Sequence, residues 1–217
     1  MRPRWKARHG IPDVRPLEHL REFVDIVKRL LAGEQVDFTG KRFKVNAKLA
    51  YGADVPVIIS ALRAGSFELA GEIAAGAVTW VFPAPYLRDV AMPALARGAA
   101  TGGRARPKLI AHAFLALTTD AVELSRGIAE FLTHYPNLRN YQEMFVAAGL
   151  PEAREGNWSP GMIDAVVLHC DPATCERKVR QFMDVSGADE LILSVMATGT
   201  DRTASMRRTL EWIAGQR

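Results

Sequence analysis

Residues 56–83 read P-V-I-I-S-A-L-R-A-G-S-F-E-L-A-G-E-I-A-A-G-A-V-T-W-V-F-P, and this stretch decides the fold. Val57 to Leu62 is an apolar run without polar alternation, the pattern of a strand buried on both faces in a parallel sheet. Ser66 is placed to cap a helix whose apolar side is Phe67, Leu69, Ala70, Ile73 and Ala74. Gly76 stops that helix before a second buried run, Ala77 to Phe82. The pattern is a βαβ unit. Its short crossover implies a right-handed connection, and in such sheets ligands bind at the carboxyl ends of the strands. Chemistry is therefore expected in the loop Arg63 to Ser66 and around Trp80 to Pro85.

Outward from this unit, the chain alternates helices and strands. Leu17, Leu20, Phe23, Val24, Val27, Leu30 and Leu31 recur at helical spacing from Pro16 to Ala32, with Pro16 in the first turn and Gly33 at the end. Val36, Phe38, Phe43 and Val45 flank Thr39-Gly40 as a small antiparallel hairpin. A helix is expected from Tyr86 to about Gly98 and a third buried strand from Lys108 to Leu117. Asp120 with Glu123 is a capping-box pattern for a helix to about Tyr135, and Pro136-Asn137 breaks it before a further helix ending at Gly149. Ser159-Pro160 and Asp171-Pro172 start two more helices, the second ending at Gly187. A last strand covers Glu190 to Met196, and a closing helix runs from about Arg202 to Gly215. No linker, repeat or low-complexity tract interrupts this order, so residues 1–217 are expected to form one α/β domain with a parallel sheet.

Composition narrows the function classes. The chain has 217 residues, 48% of them hydrophobic and 24% charged, as in ordinary globular α/β proteins. Apolar runs are broken by Arg63, Glu68 and Glu72, so no membrane partner is expected. The amino end, M-R-P-R-W-K-A-R-H-G, lacks the apolar core of a secretory signal, which points to a cytoplasmic location. Much of the net charge of +4 lies in Arg2, Arg4, Lys6 and Arg8. With Trp5 as the only aromatic among them, this reads as a solvated end rather than a nucleic-acid surface.

Cys170 and Cys175 are read as two reduced thiols in a reducing compartment. The histidines (His9, His19, His112, His134 and His169) show no paired spacing, so no metal is expected. His169 lacks a partner carboxylate at readable spacing, and Asp164, Asp171 and Asp184 make no catalytic set. His112, inside an apolar strand, reads as a hydrogen-bonded core or barrel-interior residue. There is no G-x-S-x-G elbow, Walker loop or G-x-G-x-x-G, which leaves hydrolase, nucleotidase and ordinary dinucleotide readings without support.

Six segments together carry a family resemblance: R-H-G-I-P-x-x-R-P-L-E-H-L-R-E-F-V, G-E-x-V-D-F-T-G-K-R-F, V-P-V-I-I-S-A-L, L-A-G-E-I-A-A-G-A-V-T-W, C-D-P-A-T-C and G-A-D-E-L-I-L-S. In order and spacing they resemble the carboxyl-terminal half of the luciferase-like monooxygenase superfamily. Within it they are most similar to the deazaflavin (coenzyme F-420)-dependent oxidoreductases related to methylenetetrahydromethanopterin reductase. The resemblance implies a (β/α)8 TIM-barrel-type fold, present as an incomplete carboxyl-terminal half-barrel, with the amino-terminal strands absent. It implies hydride transfer between the reduced deazaflavin and a small organic substrate, in a chain inactive without that missing half. An FMN-dependent monooxygenase on the same scaffold is the alternative.

By the same resemblance, the loop after the fifth barrel strand holds the cofactor phosphate through backbone N–H groups and a helix start, here at Ala61, Leu62, Arg63 and Ala64. Arg63 replaces a glycine of the family pattern, adding a cation and removing a close backbone approach. Ala75 replaces an aspartate. Trp80 falls where relatives line the pocket, although Trp80 and Phe82 also read as alternate core residues of a strand. A half-barrel has two unclosed edges and an uncovered apolar face, so self-pairing into a homodimer is the remaining, non-catalytic expectation.

Overall fold

The computed structural model describes residues 15–216. The basic cluster Arg2, Arg4, Lys6 and Arg8, with Trp5, His9 and the start of the first family segment, lies outside the described residues. Helix α1 (Pro16–Leu31) leads into the hairpin β1 (Val36–Thr39) and β2 (Lys44–Ala47), which is antiparallel with Phe38 opposite Val45. The carboxylate of Glu22 on α1 accepts the N–H groups of Lys41, Arg42 and Phe43 at 2.9, 2.9 and 3.0 Å, fixing the hairpin loop against the helix.

The rest follows the expected alternation. Strand β3 (Ile58–Ser60) is followed by α2 (Ala64–Ile73), β4 (Gly76–Val78) and the helical stretch 84–101, α3. Within α3, Ala84–Tyr86 continues through a π-helical turn, Leu87–Ala91, into Met92–Thr101. Then come β5 (Lys108–Ala116), α4 (Ala121–Phe131), α5 (Arg139–Ala147), α6 (Pro160–Val166), β6 (Val167–His169), α7 (Pro172–Ser186), β7 (Glu190–Val195) and α8 (Arg202–Ala214). Short 3-10 turns at Tyr135–Asn137 and Pro151–Glu155 flank α5. No helix among the described residues is long and apolar enough to cross a membrane.

All five strands β3 to β7 are parallel. Ile110 of β5 faces Val78 on one edge and Glu190 on the other, whereas Phe114 faces Val167 and Ser194. Strands β4 and β6 thus share one edge of β5, at its start and its end, and β7 takes the other edge. Strand β6 is an addition to the sequence reading. Its three residues follow α6 directly, without a turn signal to mark them.

On the helix-covered face, Ala77, Leu109, Ala111, Ala113 and Leu115 are each 0% exposed. Gly71 of α2 and Gly98 of α3 bring these helices so close that a Cβ on either would meet the other helix's backbone. At the amino ends, Asp189 receives both guanidinium nitrogens of Arg106 and the N–H of Leu109, tying the starts of β5 and β7 together.

Several local readings change. Ser66 is not the cap of α2 but its third residue. Its Oγ reaches back to accept the N–H groups of Leu62 and Arg63, at 3.0 and 3.1 Å, so the helix already begins at Ala64. Gly76 opens β4 rather than ending α2, which stops at Ile73; a side chain at Gly76 would come within 3.1 Å of the Lys108 carbonyl oxygen on β5. Strand β3 is buried on one face only: Ile59 is 5% exposed and Ile58 42%. On α1, Leu17 and Phe23 are exposed, Phe23 resting beside Phe43.

The expectation of two reduced thiols is also corrected: Cys170 and Cys175 form a disulfide. Cys170 closes β6 by donating its N–H to Ala116, and Asp171 caps α7 at once, so the first helical turn returns Cys175 over it with the Cα atoms 5.3 Å apart.

Candidate functional site

The parallel sheet places the two segments singled out above at its carboxyl end. Ala61 is buried, its N–H donated to the Val78 carbonyl, whereas Leu62 and Ala64 are half-buried and Arg63 is exposed. The hydroxyl of Ser66 occupies the N–H groups of Leu62 and Arg63. Ala64 and Gly65, the first two residues of α2, have no acceptor one turn earlier in the helix, so their N–H groups are those the helix end presents to an anion. Arg63 is not a free cation: its guanidinium pairs with Glu143 on α5, which also receives Arg139 at 2.9 Å. Hydrogen bonds from Arg63 and then Arg139 hold the Glu143 carboxyl below the usual range.

Trp80 does not alternate with Phe82 along a strand. Strand β4 ends at Val78, and Val81 takes φ +61°, a left-handed conformation that is costly for a β-branched residue. Trp80 keeps the face of Val78, opposite the helices and 39% exposed, whereas the twist at Val81 sends Phe82 to the helix side, where it is 1% exposed beside Phe67. There the indole stacks on His112, with centroids 4.1 Å apart and planes at 26°, and meets the edge of Phe114 at 5.3 Å. Its Nε1 donates to Tyr135 Oη at 2.5 Å, and its carbonyl accepts from Tyr141 Oη at 3.2 Å. Burial raises the Tyr141 pKa, so the phenol stays protonated and able to donate.

Helix α5 therefore joins the two segments, Glu143 holding Arg63 and Tyr141 holding Trp80. Tyr86 adds a bond from its Oη to the Leu62 carbonyl at 3.3 Å. The sequence reading did not include Tyr135, Tyr141 or Glu143, because they lie 55 to 80 residues from their partners.

His112 is 2% exposed and its Nε2 lies 2.8 Å from Ser194 Oγ on β7. Burial pushes its pKa down from 6.5 to about 4, so the ring is neutral at physiological pH. His169 has the carboxylate partner that spacing did not reveal: Asp164 Oδ1 lies 2.6 Å from its Nε2, brought there by the α6–β6 junction. The pair borders a cavity of about 410 Å3 with Lys178 and Phe182. Ala75 is exposed at the amino ends of the strands, beside a cavity of about 500 Å3 that also includes Lys28 and Arg104. Both cations are already donating to carbonyls at the end of α2, Ile73 and Ala74.

Comparison with known proteins agrees with this architecture. The 5,10-methylenetetrahydromethanopterin reductase of Methanopyrus kandleri is 28% identical over 193 residues, covering 79% of this chain and 55% of that protein. The chain thus spans about half the length of this curated relative. An F420-dependent secondary alcohol dehydrogenase, solved with an F420-acetone adduct, superposes with a TM-score of 0.76 at 17% identity, over 98% of this chain and 66% of that one. The oxygenating constituent of 3,6-diketocamphane monooxygenase from Pseudomonas putida, solved with FMN, gives 0.64 at 18% identity, over 98% and 67%. At these identities the two structures speak for the fold. The family model for luciferase-like monooxygenases matches residues 3–190, and the chain belongs to that family.

Proposed function

We propose that this chain is the cofactor-tail and ring-wall portion of an oxidoreductase that uses a deazaflavin coenzyme to transfer hydride to or from a small organic substrate. One observation carries the reading: the start of α2 and the outward-turned Trp80 lie at the same end of one parallel sheet, tied together by Tyr141 and Glu143 of α5. The residues present fit such a group. A phosphate-bearing tail matches the Ala64 and Gly65 N–H groups, and a flat ring system matches the Trp80–His112–Phe114 aromatic wall. When bound, the coenzyme supplies the hydride, while the chain's residues bind it and orient it. Ala61 and Leu62 shape the strand end, and Arg63 serves the phosphate only by leaving Glu143.

The relatives' greater length supports the further reading that catalysis needs more barrel strands than these residues supply. An FMN-dependent monooxygenase is the second reading, supported by the FMN-containing structural neighbour. Exposed Ile58, Trp80 and Ile192 favour a third, a non-catalytic half-barrel that pairs with itself. Titrating the chain with the deazaflavin coenzyme and with FMN, and following tryptophan fluorescence, separates the first two. Saturable quenching by the deazaflavin that disappears in Trp80→Phe is expected. Preference for FMN would select the monooxygenase reading, and binding of neither would remove both. Sedimentation of the chain as a monomer would remove self-pairing.

A further inference from the structure

The pair His112 and Ser194 has a proton to spare. His112 Nδ1 is buried and has no partner among the described residues, while Nε2 faces Ser194 Oγ at 2.8 Å. If Nδ1 carried the ring proton, a buried N–H would be left without an acceptor, at a cost of about 1–3 kcal/mol; such orphaned donors are rarer than under-used acceptors. The favoured tautomer therefore carries the proton on Nε2 and donates it to Ser194 Oγ. Only a ring lone pair then stays unmatched, beneath the Trp80 indole. Ser194 Oγ is an acceptor in this bond, so its own hydroxyl proton points elsewhere, and no acceptor for it occurs among the described residues.

The surroundings define what would accept that proton. Ser194 lies opposite Phe114 in register and one pleat repeat beyond Ile192, which is 46% exposed. Trp80 forms the adjoining wall. Among the strand residues of this face the one cation is Lys108, at the amino end of β5 and paired with Glu190 at 2.5 Å. Among these strand residues no positive charge stands beside Ser194 to offset the burial of an anionic group.

We propose that Ser194, with its hydroxyl oriented by His112, donates a hydrogen bond to the uncharged carbonyl or ether oxygen of an apolar substrate resting against Trp80 and Ile192. Ser194 touches the ligand, and His112 is a positioning residue. The assignment rests on the oxidoreductase reading for the word substrate, but its geometry is independent of which coenzyme binds.

The test uses the whole chain with 15N-labelled histidine, read by long-range 1H–15N spectra. At neutral pH, His112 is expected as the Nε2–H tautomer. Cyclohexanone is expected to shift its ring signals and the Trp80 indole signal, whereas cyclohexanecarboxylate, with the same frame and a charge, leaves them in place. Ser194→Ala is expected to weaken the cyclohexanone response about five- to tenfold, the loss of one hydrogen bond, and Ser194→Thr to retain it. An Nδ1–H tautomer in the unaltered chain, an equal response to the carboxylate, or an unchanged response in Ser194→Ala would overturn the proposal. So would a Ser194-dependent shift caused by the coenzyme alone, which would assign the donor to a coenzyme oxygen. Failure of both coenzymes to quench tryptophan fluorescence, with the cyclohexanone response intact, would instead remove the coenzyme reading and leave the donor standing.

Discussion

The two faces of β5 are made by alternate residues of one nine-residue strand and have opposite chemistry. Leu109, Ala111, Ala113 and Leu115 meet the helices with small or aliphatic side chains and no exposure. Ile110, His112 and Phe114 lie on the other face, where a titratable ring is sandwiched among aromatics and the neighbouring strands expose Ile58 and Ile192. The helix side is filled for packing; on the other, open side β5 itself is buried, but the His112 Nδ1 has no partner among the described residues and the flanking Ile58 and Ile192 stay exposed. In a parallel sheet this is how a scaffold and a site share one strand: side chains alternate with a period of two, so neither constrains the other's composition.

Two substitutions can break that comparison most sharply. Leu115→Ala, deep on the helix side, is expected to cost about 2–5 kcal/mol in urea unfolding, and Ile192→Ala, on the open side, less than about 1 kcal/mol. Equal costs would mean that the open face is as closely packed as the other.

The second effect concerns His112 and pH. Its folded pKa, near 4, lies below the ordinary 6.5. As pH falls below 6.5 the unfolded chain takes a proton that the folded chain refuses, so stability declines from about 6.5 down to about 4 and levels off below. The decline attributable to this residue is roughly 3 kcal/mol. Chemical denaturation across that range is expected to show the loss, with a shallower slope in His112→Gln. An identical slope in the variant would place the proton uptake elsewhere.

What the sequence revealed, and what it concealed, divides along the same line. The βαβ unit, the hairpin and the caps at Asp120, Ser159 and Asp171 were legible, because each depends on neighbours a few residues away. Asp120 accepts the N–H groups of Val122 and Glu123 as a cap, but the reciprocal half of the expected capping box is absent: the Asp120 N–H goes to Thr118 Oγ1, whose hydroxyl donates to Glu123. The candidate site was legible only as two places on the chain. Its assembly depends on pairs such as Arg63 with Glu143, Trp80 with Tyr141 and His112 with Ser194, separated by 80, 61 and 82 residues, and no local pattern announces them. Trp80 shows the physical reason most clearly. Its run of apolar neighbours reads as one strand with Trp80 and Phe82 on the same face, but the left-handed backbone of Val81 breaks the alternation, leaving the indole on the open face and sending Phe82 to the helices. Strand β6 escaped notice for a related reason, being three residues long and fused to the end of α6.

The most direct test of the account is backbone 1H–15N mapping of the whole chain titrated with the deazaflavin coenzyme. The account predicts the largest amide shifts at Ala64 and Gly65, accompanied by the Trp80 indole signal. Shifts centred instead on residues 52–57 at the amino ends of the strands, or no saturable shifts at all, would contradict it.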